Sequence, residues 1–248
     1  MSDLFHIEPL ALPFELPKQD GFSATWDEKW NGFHVSIPNG GFFYCEEFFN
    51  RKWSDRAVQY FQENDRFDYN NIDWRSISQD EFDLINFNNI AWKQDFIKLY
   101  GRDIPLPRLT SWYGDEGKSY QYSGIKANPN PWADGLLHIK SRIEECADHK
   151  FNCVLLNWYR DGQDSLSWHA DDEKELGENP VIASANFGAT RDFLIRSKED
   201  NSQKLSIPLK HGTLLLMKGT MQHHWQHSVP KRAKVNENRF NLTFRTIN

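Results

Sequence analysis

The segment SWHADDEK, residues 167–174, places His169 and Asp171 two positions apart. In an extended chain, residues at this spacing point to the same side, so both side chains can reach one metal ion. A third ligand would come from elsewhere, and the candidates are His211, His223, His224 and His227. Two imidazoles and one carboxylate on one face of Fe(II) leave coordination positions open for a co-substrate and O2. A polar turn that contains a histidine is the alternative interpretation.

The last predicted strand has two chemically different faces. One face carries Arg239, Asn241, Thr243 and Arg245, and the other carries Phe240, Leu242, Phe244 and Thr246. Two planar guanidinium groups on one face match the two ends of a dicarboxylate. The pattern therefore indicates an anion pocket, with an edge strand whose polar face meets solvent as the alternative. The same alternation in NCVLLNWYR places Asn157 and Tyr159 at the polar end of an apolar face, as at the rim of a pocket.

Six motifs follow one another in the order NWY, HADDE, SANFGATRDF, HGTLLLMKG, WQHSVP and NRFNLTFR. Together they resemble the AlkB family of dioxygenases, and most closely its nucleic-acid-dealkylating branch, which includes human AlkB homologues two and three. The upstream segments PRLTSWYGDEGKSYQYSG and PNPW are similar to the same branch. The resemblance covers about residues 99–248 and implies a double-stranded β-helix, or jelly-roll, that uses Fe(II), 2-oxoglutarate and O2.

The resemblance also implies a role for each residue of the candidate site. The iron ligands correspond to His169, Asp171 and His227, so His223 and His224 are not expected to bind the metal. Arg239, aided by Tyr159, resembles the residue that binds the far carboxylate of 2-oxoglutarate. The rest of that pocket would be lined by Asn157, Asn241, Thr243 and Arg245, of which Asn241 and Arg245 lie nearest the carboxylate that chelates iron.

Four further residues are expected on the substrate side of the site. Tyr113 resembles a residue that lines the base pocket, and ordinary core packing is its alternative. Asp172 and Glu173 resemble acidic residues that face the base and its surroundings. Tyr100 occupies the place of an aromatic wedge in duplex-acting relatives, with packing at a helix end as the alternative. Arg191 and Asp192 are interpreted as a surface pair.

The implied activity is oxidative demethylation of N-alkylated bases. Decarboxylation of 2-oxoglutarate would be coupled to hydroxylation of the methyl group of 1-methyladenine or 3-methylcytosine in DNA, with RNA as a second substrate class, and to release of formaldehyde. A hydroxylase or demethylase of the same kind that acts on RNA only, on protein or on a small molecule is the alternative. A binding module without catalysis is disfavoured by the intact triad and the two arginines.

Charge is distributed unevenly along the 248 residues. The net charge is −6; residues 1–100 contribute −8, whereas residues 187–248 contribute +7. A basic C-terminal quarter is compatible with phosphate contacts, but the negative total weakens long-range attraction to a duplex. We therefore expect single-stranded nucleic acid as a partner rather than duplex, and a monomer. The motif WHADDE, in which Trp168 directly precedes the first ligand, also resembles the corresponding motif of the single-strand-preferring homologue more than that of the duplex-preferring one.

The composition indicates a folded protein of a reducing compartment. Hydrophobic residues make up 39 % and aromatic residues 15 % of the chain, which excludes a disordered protein. The sequence predicts no membrane partner, no transmembrane segment and no secretory signal. The three cysteines form no paired motif, so we expect reduced thiols and a location in the cytoplasm, or in the nucleus of a eukaryote.

The order of helix and strand patterns along the sequence predicts an α+β fold, in which N-terminal helices pack on a double-stranded β-helix core. Residues 1–40 are predicted to be an extended arm or covering loop, and helices are predicted near 54–64, 80–98 and 131–149. From residue 151 onward, short β segments alternate with turns, as in a sandwich or barrel. We expect an N-terminal extension with covering helices over 1–90 and a dioxygenase domain over 91–248. Within that domain, nucleotide recognition would fall at about 99–135 and the β-helix core at about 150–248.

Overall fold

The computed structural model describes residues 11–99, 101–118, 120–122 and 125–248. Tyr100, the predicted wedge, lies outside these described residues. The first ten elements are β1 (Ser23–Asp27), β2 (Gly32–Ile37), β3 (Gly40–Cys45), α1 (Arg51–Gln62), α2 (Gln79–Phe82), β4 (Phe96–Leu99), β5 (Arg102–Pro105), β6 (Leu109–Gly114), β7 (Tyr120–Tyr122) and β8 (Ile125–Ala127). The remaining helices and strands are α3 (Asp134–Ala147), β9 (Cys153–Tyr159), β10 (Leu166–His169), β11 (Ile182–Gly188), β12 (Arg191–Ser197), β13 (Lys204–Leu209), β14 (Leu214–Lys218), α4 (Met221–His224), β15 (Trp225–Val229) and β16 (Arg239–Arg245).

Two antiparallel sheets form the framework. The large sheet has the strand order β1-β2-β3-β14-β11-β16-β9-β6, and the small sheet has the order β10-β15-β12-β13. Apolar residues from the facing sides of both sheets join in one buried cluster. Mostly antiparallel sheets packed face to face, with few helices, agree with the jelly-roll expectation. Each β segment predicted from residue 151 onward contains an observed strand.

The outer face of the large sheet is covered by α1 and α3. The Phe61 ring of α1 lies 5.7 Å from the ring of Phe187 and 5.3 Å from that of Phe240, centroid to centroid. Ile139 and Ile143 of α3 are buried in the same cluster. Apolar residues at a spacing of four place one stripe of α3 against the sheet, as the sequence predicted.

Strand β16 lies in the middle of the large sheet, between β11 and β9. All seven of its residues are buried. The alternative of an edge strand with a solvated polar face is therefore wrong, because both edges of β16 are paired and both faces are covered.

The N-terminal forty residues are not only an arm. Residues 23–27, 32–37 and 40–45 form β1, β2 and β3, and β3 pairs with β14 in the large sheet. A two-residue loop, Pro38-Asn39, joins β2 to β3, and Asn39 has a φ of 55°. Proline at the first loop position and asparagine with positive φ at the second are typical of a tight turn, a signal that the arm interpretation did not use. The domain boundary near residue 90 stays a prediction.

The helix predicted over residues 80–98 is wrong beyond its first turn. A capping box between Ser78 and Glu81 starts α2, which ends at Phe82. The following asparagines bond to distant residues in and just after α1 instead: Asn86 donates to the carboxylate of Asp65, and Asn89 donates to the carbonyl of Tyr60. Such tertiary contacts override a weak local preference for helix. In the described part of the chain, no helix is long and apolar enough to span a membrane.

Candidate metal and co-substrate site

Two histidines face each other across neighbouring strands of the small sheet. His169 ends β10, His227 lies in β15, and the two residues are partners in the strand register. Their Nε2 atoms are 3.1 Å apart. Two nitrogens that bind one divalent ion at about 2.1 Å, with a right angle between the bonds, are separated by about 3 Å. The register therefore sets the two imidazoles at the spacing of ligands on a single ion.

Asp171 completes this group. It follows β10 by two residues, and its Oδ2 lies 3.7 Å from Nε2 of His227. One potential ligand atom from each of His169, Asp171 and His227 lies within 4.8 Å of the other two. The three predicted ligands are thus brought together by two strands and the residues that follow one of them.

Both buried ligands are in the protonation state that metal binding requires. Burial lowers the pKa of His227 to about 3, with a further contribution from His169, so its imidazole is neutral at pH 7. Burial raises the pKa of Asp171, but the charge and hydrogen bond of Arg245, together with the adjacent imidazoles, outweigh burial and bring it to about 2. A neutral imidazole and an ionised carboxylate can bind a cation without first losing a proton.

The other candidate histidines contact other groups. Nδ1 of His211 accepts a hydrogen bond from the Gly188 N–H at 2.8 Å. Nδ1 of His224 lies 3.4 Å from a carboxylate oxygen of Glu199, and the His223 ring contacts the Glu178 carbonyl. These contacts agree with the expectation that His223 and His224 are not ligands.

Arg245 fixes the orientation of the ligand carboxylate. Its Nη2 donates to Oδ1 of Asp171 at 2.6 Å, and both side chains are buried. Because Oδ1 is used by the guanidinium, Oδ2 is the oxygen that faces His227. Charge-assisted bonds of this length are among the stronger hydrogen bonds in proteins.

A narrow cavity beside the triad is lined by the polar face of β16. Every predicted co-substrate residue lies on its wall: Asn157, Tyr159, Arg239, Asn241, Thr243 and Arg245. The guanidinium of Arg239 lies 4.8 Å from the centre of the Tyr159 ring, and its Nη2 donates to Oδ1 of Asn186 at 2.7 Å. Burial lowers the pKa of Arg239 to about 10, which still leaves it charged at neutral pH.

A chain of hydrogen bonds links the amides in the cavity wall. Asn241 donates to Oγ of Ser184 at 2.8 Å, and its Oδ1 accepts from Thr243 at 3.0 Å and from Asn157 at 3.3 Å. The Oδ1 of Asn157 in turn accepts from Nε of Arg108 at 2.7 Å. These residues hold one another in place because each polar group on the wall limits how its neighbour can turn.

The hydrogen-bond donors of Arg239 and Tyr159 show whether the cavity fits a carboxylate. Nε and Nη1 of Arg239 and the hydroxyl of Tyr159 are buried without a hydrogen-bond partner among the described residues. An unpaired buried donor costs about 1–3 kcal/mol, so a core built only for stability would not keep such donors. A carboxylate can pair with a guanidinium through two parallel bonds. The residues present therefore fit one end of 2-oxoglutarate.

The two acidic residues predicted on the substrate side differ in their exposure. Asp172 is exposed, and its Oδ2 is 2.8 Å from Nζ of Lys198. Glu173 is half-buried, and its Oε2 has no hydrogen-bond partner in the described part of the chain. Contact of either residue with a base stays a prediction.

The prediction for Tyr113 is wrong, and its core-packing alternative describes the residue. The ring is buried in the cluster on the helix side of the large sheet, and its hydroxyl accepts from the Ala91 N–H at 2.9 Å. Its neighbour Trp112 lies in the cluster between the sheets. Successive strand residues point to opposite faces, so the Tyr113 ring points away from the triad.

Arg191 is a buried residue that sequence analysis missed. Far from forming a surface pair, it is 1 % exposed and donates to the carbonyls of Asp161, Asp164 and Pro230 at 2.6–3.0 Å. Asp192 pairs instead with Arg232. The alternation of Arg191 with Phe193 and Ile195 was the signal, since all three face inward.

Comparison with known proteins gives consistent results. Residues 78–245 match the family model described as the 2OG-Fe(II) oxygenase superfamily. The chain is 51 % identical over 168 residues to the human "Alpha-ketoglutarate-dependent dioxygenase alkB homolog 3", a match that covers 64 % of this chain and 58 % of that protein. It is 40 % identical over 158 residues to the human "DNA oxidative demethylase ALKBH2", which covers 61 % of this chain and 60 % of that protein. The matched region thus spans less than two thirds of these relatives.

A solved structure has the same fold. The chain aligns with "The structure of OsALKBH1" at a TM-score of 0.53 and 14 % identity, over 84 % of this chain and 97 % of that one. At this identity the likeness concerns the arrangement of the strands alone. It supports the face-to-face arrangement of the two sheets.

Proposed function

The chain belongs to the 2OG-Fe(II) oxygenase superfamily, and from this membership we propose that it is a dioxygenase that demethylates nucleic-acid bases. The observation that carries the proposal is one cavity in which a His-Asp-His group and an arginine with unpaired donors lie side by side. The names of the relatives add the substrate class, because one of them is called a DNA oxidative demethylase. The proposed substrates are 1-methyladenine and 3-methylcytosine in DNA, with RNA as a second class.

Each wall of the cavity has a distinct task in this activity. His169, Asp171 and His227 would hold Fe(II), while Arg239 and Tyr159 would hold the far carboxylate of 2-oxoglutarate. When bound, Fe(II), 2-oxoglutarate and O2 supply the oxidation, which yields succinate and CO2 and hydroxylates an N-methyl group that leaves as formaldehyde. Arg245 keeps Asp171 ionised and correctly turned through its 2.6 Å bond.

Apolar side chains form part of the wall of the site. The Phe193 ring stacks on His227 with centroids 4.9 Å apart and planes 25° apart. Leu155, Met217 and Val229 line the same cavity and are buried. Such packing limits the rotation of the imidazole.

We propose single-stranded nucleic acid as the preferred form of the substrate. A base can reach a cavity of this kind only when it is unpaired or flipped out, and flipping from a duplex costs a few kcal/mol. The net charge of −6 reduces the long-range attraction to phosphate that would offset this cost. We further propose a monomer in the cytoplasm or nucleus; the three cysteines are free thiols, which fits a reducing compartment.

Mass spectrometry of methylated oligonucleotides tests this function. Single-stranded DNA, duplex DNA and RNA that carry 1-methyladenine or 3-methylcytosine would be incubated with Fe(II), ascorbate and O2, with and without 2-oxoglutarate. We expect loss of one methylene mass, fastest on the single strand and only with 2-oxoglutarate. His227→Ala should abolish turnover, whereas the matched variant His224→Ala should not. Absence of demethylation on all three substrates by the wild-type protein would refute the proposed function.

A further inference from the structure

The backbone of the ligand Asp171 is held by a side chain outside the triad. Its N–H is buried and donates to Oε1 of Gln222 at 3.0 Å. Gln222 is 1 % exposed, and its Nε2 lies 3.5 Å from Sδ of Met217. An amide oxygen in this place fixes the position of the peptide group next to the ligand carboxylate and satisfies a donor that has no strand partner.

A lysine makes a second link between the same two segments. Nζ of Lys198 lies 2.8 Å from Oδ2 of Asp172 and donates to the carbonyl of Gln222 at 2.9 Å. Two links therefore join the residues that follow β10 to α4. One runs from the Asp171 backbone to the Gln222 side chain, and the other runs from the Asp172 side chain through Lys198 to the Gln222 backbone. The position of α4 consequently determines where Asp171 lies.

Helix α4 cannot determine that position by itself. It has four residues, and no side chain caps its N-terminus. A single turn of helix is unstable in isolation because its few hydrogen bonds do not offset the entropy of ordering it. Its placement must come from the elements against which it packs.

The β2–β3 hairpin turn supplies that placement. Thr220 donates to the carbonyl of Asn39 at 2.9 Å, and Nε1 of Trp225 donates to the carbonyl of Pro38 at 2.7 Å. Gly40 lies so close that an added Cβ would be 2.9 Å from Cα of Met221. The turn thus contacts α4 just before it, within it and just after it.

We propose that Gln222 is a positioning residue for the metal ligand Asp171, and that the β2–β3 turn holds it in place through α4. This inference rests on the proposed metal site. It extends the working site to residues 38–40, which lie outside the 78–245 region shared with the family model. Residues that orient a metal ligand typically change metal affinity 10–100-fold when they are replaced.

Mn(II) binding without any co-substrate tests the inference independently of activity. Free Mn(II) would be measured by electron paramagnetic resonance during titration of the wild type and of Gln222→Met, which keeps the side-chain length but removes the oxygen. We expect the dissociation constant to rise about 10-fold or more. Gln62→Met is the matched control, because Gln62 is also buried and its Oε1 also accepts hydrogen bonds, from Trp74 and Asn238. It should lower the melting temperature but change the Mn(II) dissociation constant less than twofold.

The outcomes separate the inference from the function on which it rests. An unchanged dissociation constant in Gln222→Met, or an equal rise in Gln62→Met, would overturn the positioning role while the wild-type site stands. A wild-type protein that does not bind Mn(II) would overturn the metal site itself. If Gln222→Met does not fold, Thr220→Val takes its place, since it removes the bond to the Asn39 carbonyl of the hairpin turn and keeps the shape of the side chain. A rise of about threefold in the Mn(II) dissociation constant of that variant would then support the inference, and an unchanged constant would refute it.

Discussion

The two faces of β16 are equally buried but chemically opposite. Toward α1 and α3, Phe240, Leu242 and Phe244 are 0 % exposed and lie in an apolar cluster. Toward the small sheet, Arg239 and Arg245 are 1 % and 2 % exposed and line the cavity. One seven-residue strand therefore belongs both to the part of the core that stabilises the fold and to the part that is built for a ligand.

Two buried charges show the difference most clearly. On the helix side, Glu144 of α3 accepts from the Phe151 N–H at 2.9 Å and lies 2.8 Å from Nζ of Lys150 and 3.1 Å from Nζ of Lys140. On the cavity side, Arg239 has one hydrogen bond, to Asn186, and two nitrogens without a partner among the described residues. The Glu144 carboxylate is satisfied within the fold, whereas Arg239 keeps donors that a ligand carboxylate can use.

The largest expected effect is on stability, from a change on the helix side. Phe240→Ala should lower the free energy of unfolding by about 3–5 kcal/mol, because it removes a buried ring and leaves a cavity. Thr243→Val, on the other face of the same strand, should cost only about 1 kcal/mol for its lost hydrogen bond to Asn241. Urea unfolding of both variants measures the contrast. An equal loss of unfolding free energy in the two variants would mean that the apolar face of β16 does not contribute more to stability than the polar face.

The next effect is on co-substrate binding, from a change on the cavity side. Arg239→Met should raise the KM for 2-oxoglutarate about 100-fold, equivalent to about 2.7 kcal/mol, because the carboxylate loses its fork of donors. The same variant should unfold at an equal or higher urea concentration, since an apolar side chain replaces an incompletely paired buried charge. A variant that loses stability while its KM stays unchanged would show that Arg239 is structural.

The smallest effect is on the pH dependence of stability. Burial raises the pKa of Glu144, but hydrogen bonds from Lys150, Phe151 and Lys140 outweigh burial and hold it below the ordinary value of 4.5. The ionised group therefore stabilises the fold above pH 4.5, and this contribution is lost as the pH falls through the lowered pKa. Glu144→Gln should cost about 1–2 kcal/mol at pH 7 and progressively less toward pH 3. Urea unfolding at a series of pH values measures the difference, and a difference independent of pH would contradict the assignment.

Sequence alone could predict the cavity face because residue types alternate sharply along β16. Polar and apolar residues exchange at every position from Arg239 to Phe244, so the period of two identifies both faces. In β6, by contrast, all six residues of LTSWYG are buried and no contrast marks the faces. The substrate role of Tyr113 was taken from the resemblance, no local pattern could correct it, and only the packing of β6 in the structure places the ring on the helix side.

Other features depend on partners that are distant in the sequence. Gln222 is linked to Asp171 across 51 positions, and Trp225 to Pro38 across 187. No local pattern predicts such bonds, because they arise only when the strands have been ordered into sheets. The β2–β3 hairpin was different, because Pro38-Asn39 is a local turn signal, although the segment around it shows no clear strand periodicity.

A crystal structure of the protein with Mn(II) and 2-oxoglutarate tests the central claim most directly, namely that the triad and the polar face of β16 form one site. We predict one metal ion bound by Nε2 of His169, Nε2 of His227 and a carboxylate oxygen of Asp171 at about 2.2 Å. One end of 2-oxoglutarate should bind the metal, and the other should pair with Nε and Nη1 of Arg239. A metal bound by His223 or His224, or a co-substrate that does not contact Arg239, would contradict the account.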